Sequence, residues 1–232
     1  MSCFFSLTIG TILGLSQSRI KRLLAYSTIS HVGFILLALI THTLDSYQAF
    51  LFYIIQYILT NLNAFIILIA MGFNMYLYYT NTTEFNNLSE KNNSPIQLIN
   101  QLKGYFIINP SLSLCLVITM FSFIGLPPLV GFFGKLMVLS SALDNGKILL
   151  VLVAVLTSVI GAVYYLSVIK TIYFENAEYK KSYNYEDMSL SSVFSVTLSI
   201  LNIAVVLFIL IPNEVINLCD LLSFVSYSSS IY

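Results

Sequence analysis

The sequence predicts an all-α polytopic membrane protein with about six transmembrane helices, one of them broken. Three observations carry that prediction. Only 9% of the residues are charged and 58% are hydrophobic, against about 25% charged in an ordinary soluble domain. Six apolar stretches approach or exceed the roughly 20 residues that cross a bilayer. One of those stretches is cut by glycine and proline and then carries a lysine, Lys135.

The apolar stretches are 2–16, 24–42, 47–79, 110–143, 147–173 and 189–211. The first is too short: it rises about 22 Å against a hydrocarbon core of about 30 Å. The chain is therefore expected to begin inside a helix, as a fragment, a partial sequence or one piece of a split gene. The fourth is long because Gly125 to Gly131 interrupt it. Two connections are long and polar, 80–109 and 174–188. Within the first of them, Ile96 to Ile108 predicts a short amphipathic helix on the membrane surface. The whole of 1–232 is expected to form a single membrane domain.

Basic residues set the orientation, because they collect on the cytoplasm-like side of a membrane. Following the six spans, Arg19, Lys21, Arg22, Lys91, Lys103, Lys170, Lys180 and Lys181 fall on one side, and only Lys147 on the other. The loops at 17–23, 80–109 and 174–188 are expected on the cytoplasm-like side and Tyr232 on the opposite one.

Composition also excludes several classes. Ten basic residues balance ten acidic ones, and no basic cluster points to nucleic acid. No P-loop, Rossmann fingerprint, CxxC or HExxH appears, so the chain itself is expected to bind no nucleotide, flavin, iron–sulfur cluster or other cofactor, and no metal. Cys3, Cys115 and Cys219 are too far apart for metal-ligand spacing or a disulfide framework. Tryptophan is absent and Asn, Ser, Ile and Tyr are abundant. That bias suits an A+T-rich gene, as organelle genomes often carry.

The polar residues inside the spans are the candidate functional groups. Ser27, Ser30 and His31 fall at i, i+3, i+4, and Tyr53, Gln56, Tyr57, Thr60 and Asn61 at i, i+3, i+4, i+7, i+8. Each set shares one helical face. Lipid offers such groups no partners, so both faces should turn inward. They are either interhelical hydrogen-bonding glue or the lining of a water chain. His31 is either a satisfied structural histidine or a proton-relay group.

Lys135 is the most demanding residue. A lysine near the bilayer centre costs about 2.5–3.5 kcal/mol on insertion scales. Asp144, at the next loop, lies about 13 Å away along a helix, too far for comfortable snorkelling. Pro127 and Pro128 remove backbone donors and free nearby carbonyls, while Gly125 and Gly131 mark the ends of the break. Broken helices of this kind mark ion sites in transporters. The lysine is expected to accept and release a proton.

Two motifs together resemble a known family. The first runs from Leu15 to Phe34 (LSQSRIKRLLAYSTISHVGF) and the second from Gly125 to Lys135 (GLPPLVGFFGK). Leu102-Lys103-Gly104-Tyr105 followed by Asn109-Pro110 agrees with them. The chain resembles the antiporter-like proton-pumping subunits of NADH:ubiquinone oxidoreductase (respiratory complex I), of the mitochondrial subunit 2 and bacterial subunit N type.

The resemblance implies a fourteen-helix fold with two inverted repeats, of which this chain looks like the second repeat plus the final helix. It implies that Lys135 is the proton carrier of the second broken helix. His31, Tyr53, Tyr57 and Asn61 would line or hydrate the path. It further implies a mitochondrial inner-membrane location with the Arg19/Lys21/Arg22 loop and both polar loops on the matrix side. Partners would be the other membrane-arm subunits, including neighbouring antiporter-like ones, and the lipid bilayer. The chain would be part of a proton-translocating NADH:ubiquinone reductase, while NADH, FMN, iron–sulfur clusters and ubiquinone belong to other subunits. Two alternatives are a cation/proton antiporter subunit of the same superfamily and a structural scaffold.

Overall fold

A computed structural model describes residues 1–79, 96, 98–176, 192–208 and 212–229. Helices account for nearly all regular structure among them. They are α1 (Ser2–Leu15), α2 (Ile20–Leu39), α3 (Leu44–Tyr79), the short α4 (Tyr105–Ile108), α5 (Pro110–Ile124), α6 (Val130–Asp144), α7 (Ile148–Phe174), α8 (Ser192–Leu207) and α9 (Pro212–Ser229). Three of them, Ile20–Leu39, the Leu44–Phe73 part of α3 and Ile148–Phe174, are long and apolar enough to cross a membrane. Ser2–Leu15, Pro110–Ile124 and Phe194–Leu207 are shorter apolar helices.

The predicted spans match these helices with ends shifted by a few residues. Predicted span 110–143 is two helices, α5 and α6, as the Gly/Pro break requires. Two expectations need correction. Ile96 to Ile108 is not one amphipathic helix. It holds a single 3-10 turn, Ile99–Leu102, then a left-handed Gly104 (φ 66°), then α4. Its apolar side chains Ile96, Leu102 and Tyr105 are buried rather than laid on a surface. Tertiary bonds override the helical pattern: Arg19 and Leu98 form an isolated antiparallel bridge, and the Ile99 N–H donates to Ser18 O at 2.9 Å. The Gly104 N–H donates to Thr171 O at 3.1 Å. The second correction is α9, a helix that the apolar pattern did not announce because Asn213, Glu214, Asn217 and Asp220 break up its hydropathy. Polar loop residues 80–95 and 177–191, Lys91, Lys180, Lys181 and Tyr232 lie outside the described residues.

Packing follows from small residues on α1 and α2. A methyl added at Gly10 would lie 2.7 Å from the Ser30 backbone nitrogen. The two backbones therefore approach as closely as a small-residue interface allows, which is how helices associate where lipid removes the hydrophobic drive. The Cys3 thiol donates to Gly33 O at 3.3 Å across the same seam.

Two apolar clusters fill the bundle toward its opposite ends. One gathers Leu23, Leu24, Ile67, Met71, Leu116 and Ile172 at the Arg19 end. The other gathers Leu7, Phe34, Leu37, Ala49, Val138 and Ala154. A third, lateral cluster of Phe52, Leu129, Val130, Val205 and Cys219 seats α8 and α9 against α3 and the break. Between α3 and α8 lies a buried amide pair, with Asn63 Nδ2 donating to Asn202 Oδ1 at 3.2 Å. Many large apolar side chains remain exposed on the outer face of α7, including Leu149, Leu152 and Val159. A bilayer or neighbouring apolar helices would cover that face.

Two stability outcomes follow. Gly10→Ala should destabilise the bundle by roughly 1–3 kcal/mol, since the methyl meets backbone that cannot rotate away; an unchanged thermal midpoint would refute this close approach. A double-mutant cycle of Asn63→Leu and Asn202→Leu should return a coupling of about 0.6–1.7 kcal/mol, whereas strict additivity would show that the amides do not interact.

Candidate functional site

The site is built around the way α5 ends. Asn109 starts that helix, its side chain accepting from the Leu112 N–H at 3.2 Å, with Pro110 in the first turn where a missing N–H costs nothing. Fifteen residues on, Gly125 adopts φ 84°, ψ 44°, a left-handed conformation that glycine adopts without side-chain strain. The Gly125 N–H donates to Phe121 O (3.0 Å) and Ser122 O (3.1 Å), and the Leu126 N–H to Phe121 O (3.2 Å). Those bonds satisfy two of the last carbonyls. Pro127 and Pro128 have no N–H with which to satisfy the next two.

Lys135 satisfies them. From the second turn of α6 its Nζ donates to Phe123 O at 2.9 Å and to Ile124 O at 2.8 Å. A cation at a helix C-terminus meets the negative end of the helix dipole, and in an apolar surrounding such charge-assisted bonds are strong. The ammonium also lies 5.4 Å from the centre of the Phe34 ring. The approach of α6 to α5 depends on Gly131, where a side chain would overlap the Ser122 carbonyl.

His31 sits beside this arrangement, buried between α3 and α7. Its Nδ1 is 2.8 Å from the Tyr53 hydroxyl and its Nε2 is 3.4 Å from the Tyr165 hydroxyl. Tyr57 stacks on the imidazole, with centroids 4.9 Å apart and planes at 29°. Phe123, whose carbonyl holds Lys135, packs its ring 5.5 Å from His31 and stacks on Tyr165 at 5.6 Å. A small cavity, about 10 Å³ for the centre of a water, joins the two groups; that is room for about one water. Its walls include Lys135, His31, Phe34, Phe123, Tyr164 and Tyr165.

The structure thus brings together Lys135, His31, Tyr53 and Tyr57, with Gly125, Pro127, Pro128 and Gly131 forming the break. Asn61 stands apart. It is half-buried, and it is the side chain of Asn63 that takes the buried amide contact. Gln56 Oε1 and Ser122 Oγ are buried without a hydrogen-bond partner among the described residues. Sequence reasoning missed Tyr164, Tyr165 and Phe123. The signal available was a Tyr-Tyr pair inside an otherwise apolar span, but periodicity alone did not say which helix it would face. Among the described residues no group of three or more His, Cys, Asp or Glu could hold a metal ion.

Fold and site together define a multi-pass helical membrane protein with a discontinuous helix whose free carbonyls are held by a lysine. The chain belongs to the NADH:quinone oxidoreductase/Mrp antiporter transmembrane family, whose sequence profile matches residues 1–161. It is 56% identical over 175 residues to NADH-ubiquinone oxidoreductase chain 2 of Rhizopus oryzae, covering 75% of this chain and 32% of that one. It is 36% identical over 219 residues to NADH-quinone oxidoreductase subunit N of Hydrogenovibrio crunogenus, covering 94% and 41%. Among solved structures, a chain of respiratory complex I from Thermus thermophilus superposes with a TM-score of 0.70 at 26% identity, over 93% of this chain and 43% of the other. A chain of the Mrp complex from Dietzia shares the fold, with a TM-score of 0.75 at 16% identity, over 95% and 45%. The chain spans about a third to two-fifths of the length of the two relatives.

The break makes one sharp prediction. Gly125→Ala puts a Cβ into left-handed backbone and 3.0 Å from Lys135 Cδ. It should cost roughly 1–2 kcal/mol and displace the lysine from its carbonyls. A thermal midpoint equal to wild type would refute the described geometry.

Proposed function

We propose that this chain is the part of a proton-translocating membrane subunit of NADH:quinone oxidoreductase that carries the second half of its proton path, with Lys135 as the carrier. The observation that carries this reading is the Lys135 ammonium, held by Phe123 O and Ile124 O at a helix break and sharing one cavity with His31. An ammonium there is stabilised by two carbonyls and the helix dipole. Once it gives its proton to water, the neutral amine loses the charge-assisted part of those bonds and its stem is free to swing. Charge state and position are therefore linked at one residue. His31, Tyr53 and Tyr57 line the route on the side facing α3, with Asn61 one turn beyond Tyr57.

The rest of the reading extends the family membership, with the distribution of basic residues as support for the orientation. The chain works in the mitochondrial inner membrane as one membrane domain, with the Arg19/Lys21/Arg22 end and polar loops 80–109 and 174–188 toward the matrix. It binds no cofactor itself. NADH, FMN, iron–sulfur clusters and ubiquinone are handled by other subunits, and its partners are neighbouring antiporter-like and other membrane-arm subunits.

Two other readings have support. The family name includes Mrp antiporters, so a cation/proton antiporter subunit is one; vesicles would then exchange sodium for protons without NADH. The double carbonyl contact of Lys135 favours the other, a purely structural helix cap.

Lys135→Arg separates carrier from cap. Arginine can donate to both carbonyls and keeps its charge, yet it does not release a proton. In the assembled, reconstituted complex, NADH-driven proton pumping should fall roughly tenfold or more while assembly stays normal. Wild-type pumping with Lys135→Arg would reduce Lys135 to a cap. His31→Phe should slow pumping more than it harms assembly, and the reverse pattern would make His31 structural.

A further inference from the structure

We propose that Tyr165 on α7 is a proton-relay residue, closing a hydrogen-bonded chain Tyr53–His31–Tyr165 that connects the Lys135 cavity to the α3 face. The proposal rests on the carrier reading of Lys135 and adds a residue on a helix that the sequence motifs did not single out.

The geometry separates the tyrosines around His31 by what they offer the imidazole. Tyr57 offers its ring: it stacks at 4.9 Å and 29° and so covers one face. Tyr53 and Tyr165 offer their hydroxyls, one to each ring nitrogen, at 2.8 Å and 3.4 Å. A neutral imidazole has one N–H and one bare nitrogen. A hydroxyl can donate or accept, so either tautomer is satisfied on both sides. That is the requirement for a relay in both directions.

The transfer balances without a lasting charge. In the tautomer with hydrogen on Nδ1, the Tyr165 hydroxyl gives its proton to Nε2 while the Nδ1 proton passes to the Tyr53 oxygen. Tyr53 releases its own hydroxyl proton onward, and Tyr165 recovers one from Lys135 through a water in the cavity that both residues line. One proton has moved and the imidazole is again neutral, in the other tautomer. Gln56, one turn along α3 from Tyr53, packs its carboxamide on Gly134 beside Lys135, and its buried oxygen has no partner among the described residues.

Tyr165 is also placed to follow the lysine. Its ring stacks on Phe123 at 5.6 Å and 17°, and the Phe123 carbonyl accepts from Lys135 at 2.9 Å. Movement of that carbonyl as the lysine loses its proton would reach Tyr165 through the ring. The 3.4 Å contact is longer than the usual 2.7–3.2 Å range. It is therefore the link most easily opened.

The test compares Tyr165→Phe, Tyr53→Phe and, as a control on the same helix as Tyr165, Tyr173→Phe in the assembled complex, reconstituted in liposomes and driven by NADH, with Lys135→Arg as reference. Phenylalanine keeps each ring and its stacking and removes only the hydroxyl. Tyr165→Phe and Tyr53→Phe should each lower pumping roughly tenfold and raise its solvent deuterium isotope effect, with assembly unchanged. The double variant should lose little more than either single one, as for groups acting as a unit. Tyr173→Phe should pump within about twofold of wild type, because the Tyr173 hydroxyl lies 3.5 Å from Ser113 Oγ, outside the chain.

Lys135→Arg inactive with Tyr165→Phe at the wild-type rate would overturn the inference and leave the carrier reading standing. Lys135→Arg fully active would overturn both. Equal losses in Tyr173→Phe and Tyr165→Phe, or a loss in Tyr165→Phe with no change in isotope effect, would make the residue a packing element and also overturn the relay. Should Tyr165→Phe fail to assemble, Tyr53→Phe decides alone, since wild-type pumping without that hydroxyl leaves no chain to relay.

Discussion

Two backbone carbonyls in an apolar bilayer need a donor, and the structure satisfies them with the ammonium of Lys135. Every part of the site depends on that contact. Hydrocarbon has no water to offer a carbonyl, and a lysine there is costly unless something compensates its charge. Each is the other's solution. Gly125 turns the chain sharply, the two prolines withhold their donors, and the lysine one turn into α6 reaches back to the gap. The break is a polar site assembled from groups that would each be unfavourable alone.

A second constraint is distance. The break holds only if α5 and α6 nearly touch, and Gly131 permits this against the Ser122 backbone. The neighbouring turn of α2, at Ser30, lies against α1 at Gly10. The apolar clusters toward the two ends of the bundle then isolate the polar middle. The cavity between Lys135 and His31 has room for about one water. The exposed apolar flank of α7 marks where lipid or further helices close the same site from outside.

Phe123 links the parts in an unexpected way. Its carbonyl belongs to the lysine and its ring to His31 and Tyr165. One residue thereby touches the lysine, the imidazole and its tyrosine. The Phe123 carbonyl has no intrahelical partner, so its bond to Lys135 is the contact that ties this residue to the lysine.

Much of this was legible in the sequence. Hydropathy located the spans, Gly125 and the Pro127-Pro128 pair located the break, and the isolated charge of Lys135 identified the residue that matters, because lipid permits so few exceptions. The i, i+3, i+4 spacing put His31 and Tyr53 on inward faces. Periodicity could not say which inward face meets which. Asn61 and Asn63 are two residues apart, yet only Asn63 meets the buried partner Asn202. Tyr165 read as one more aromatic in an apolar span. The 96–108 segment followed its bonds to Ser18 and Thr171 rather than its own pattern, and α9 was hidden by its polar residues. The sequence by itself determined that a charge sits beside a helix break inside a membrane, since burial and chain chemistry are local. Only the tertiary structure decided what that charge bonds to and which tyrosines flank the histidine, because those contacts join residues distant along the chain.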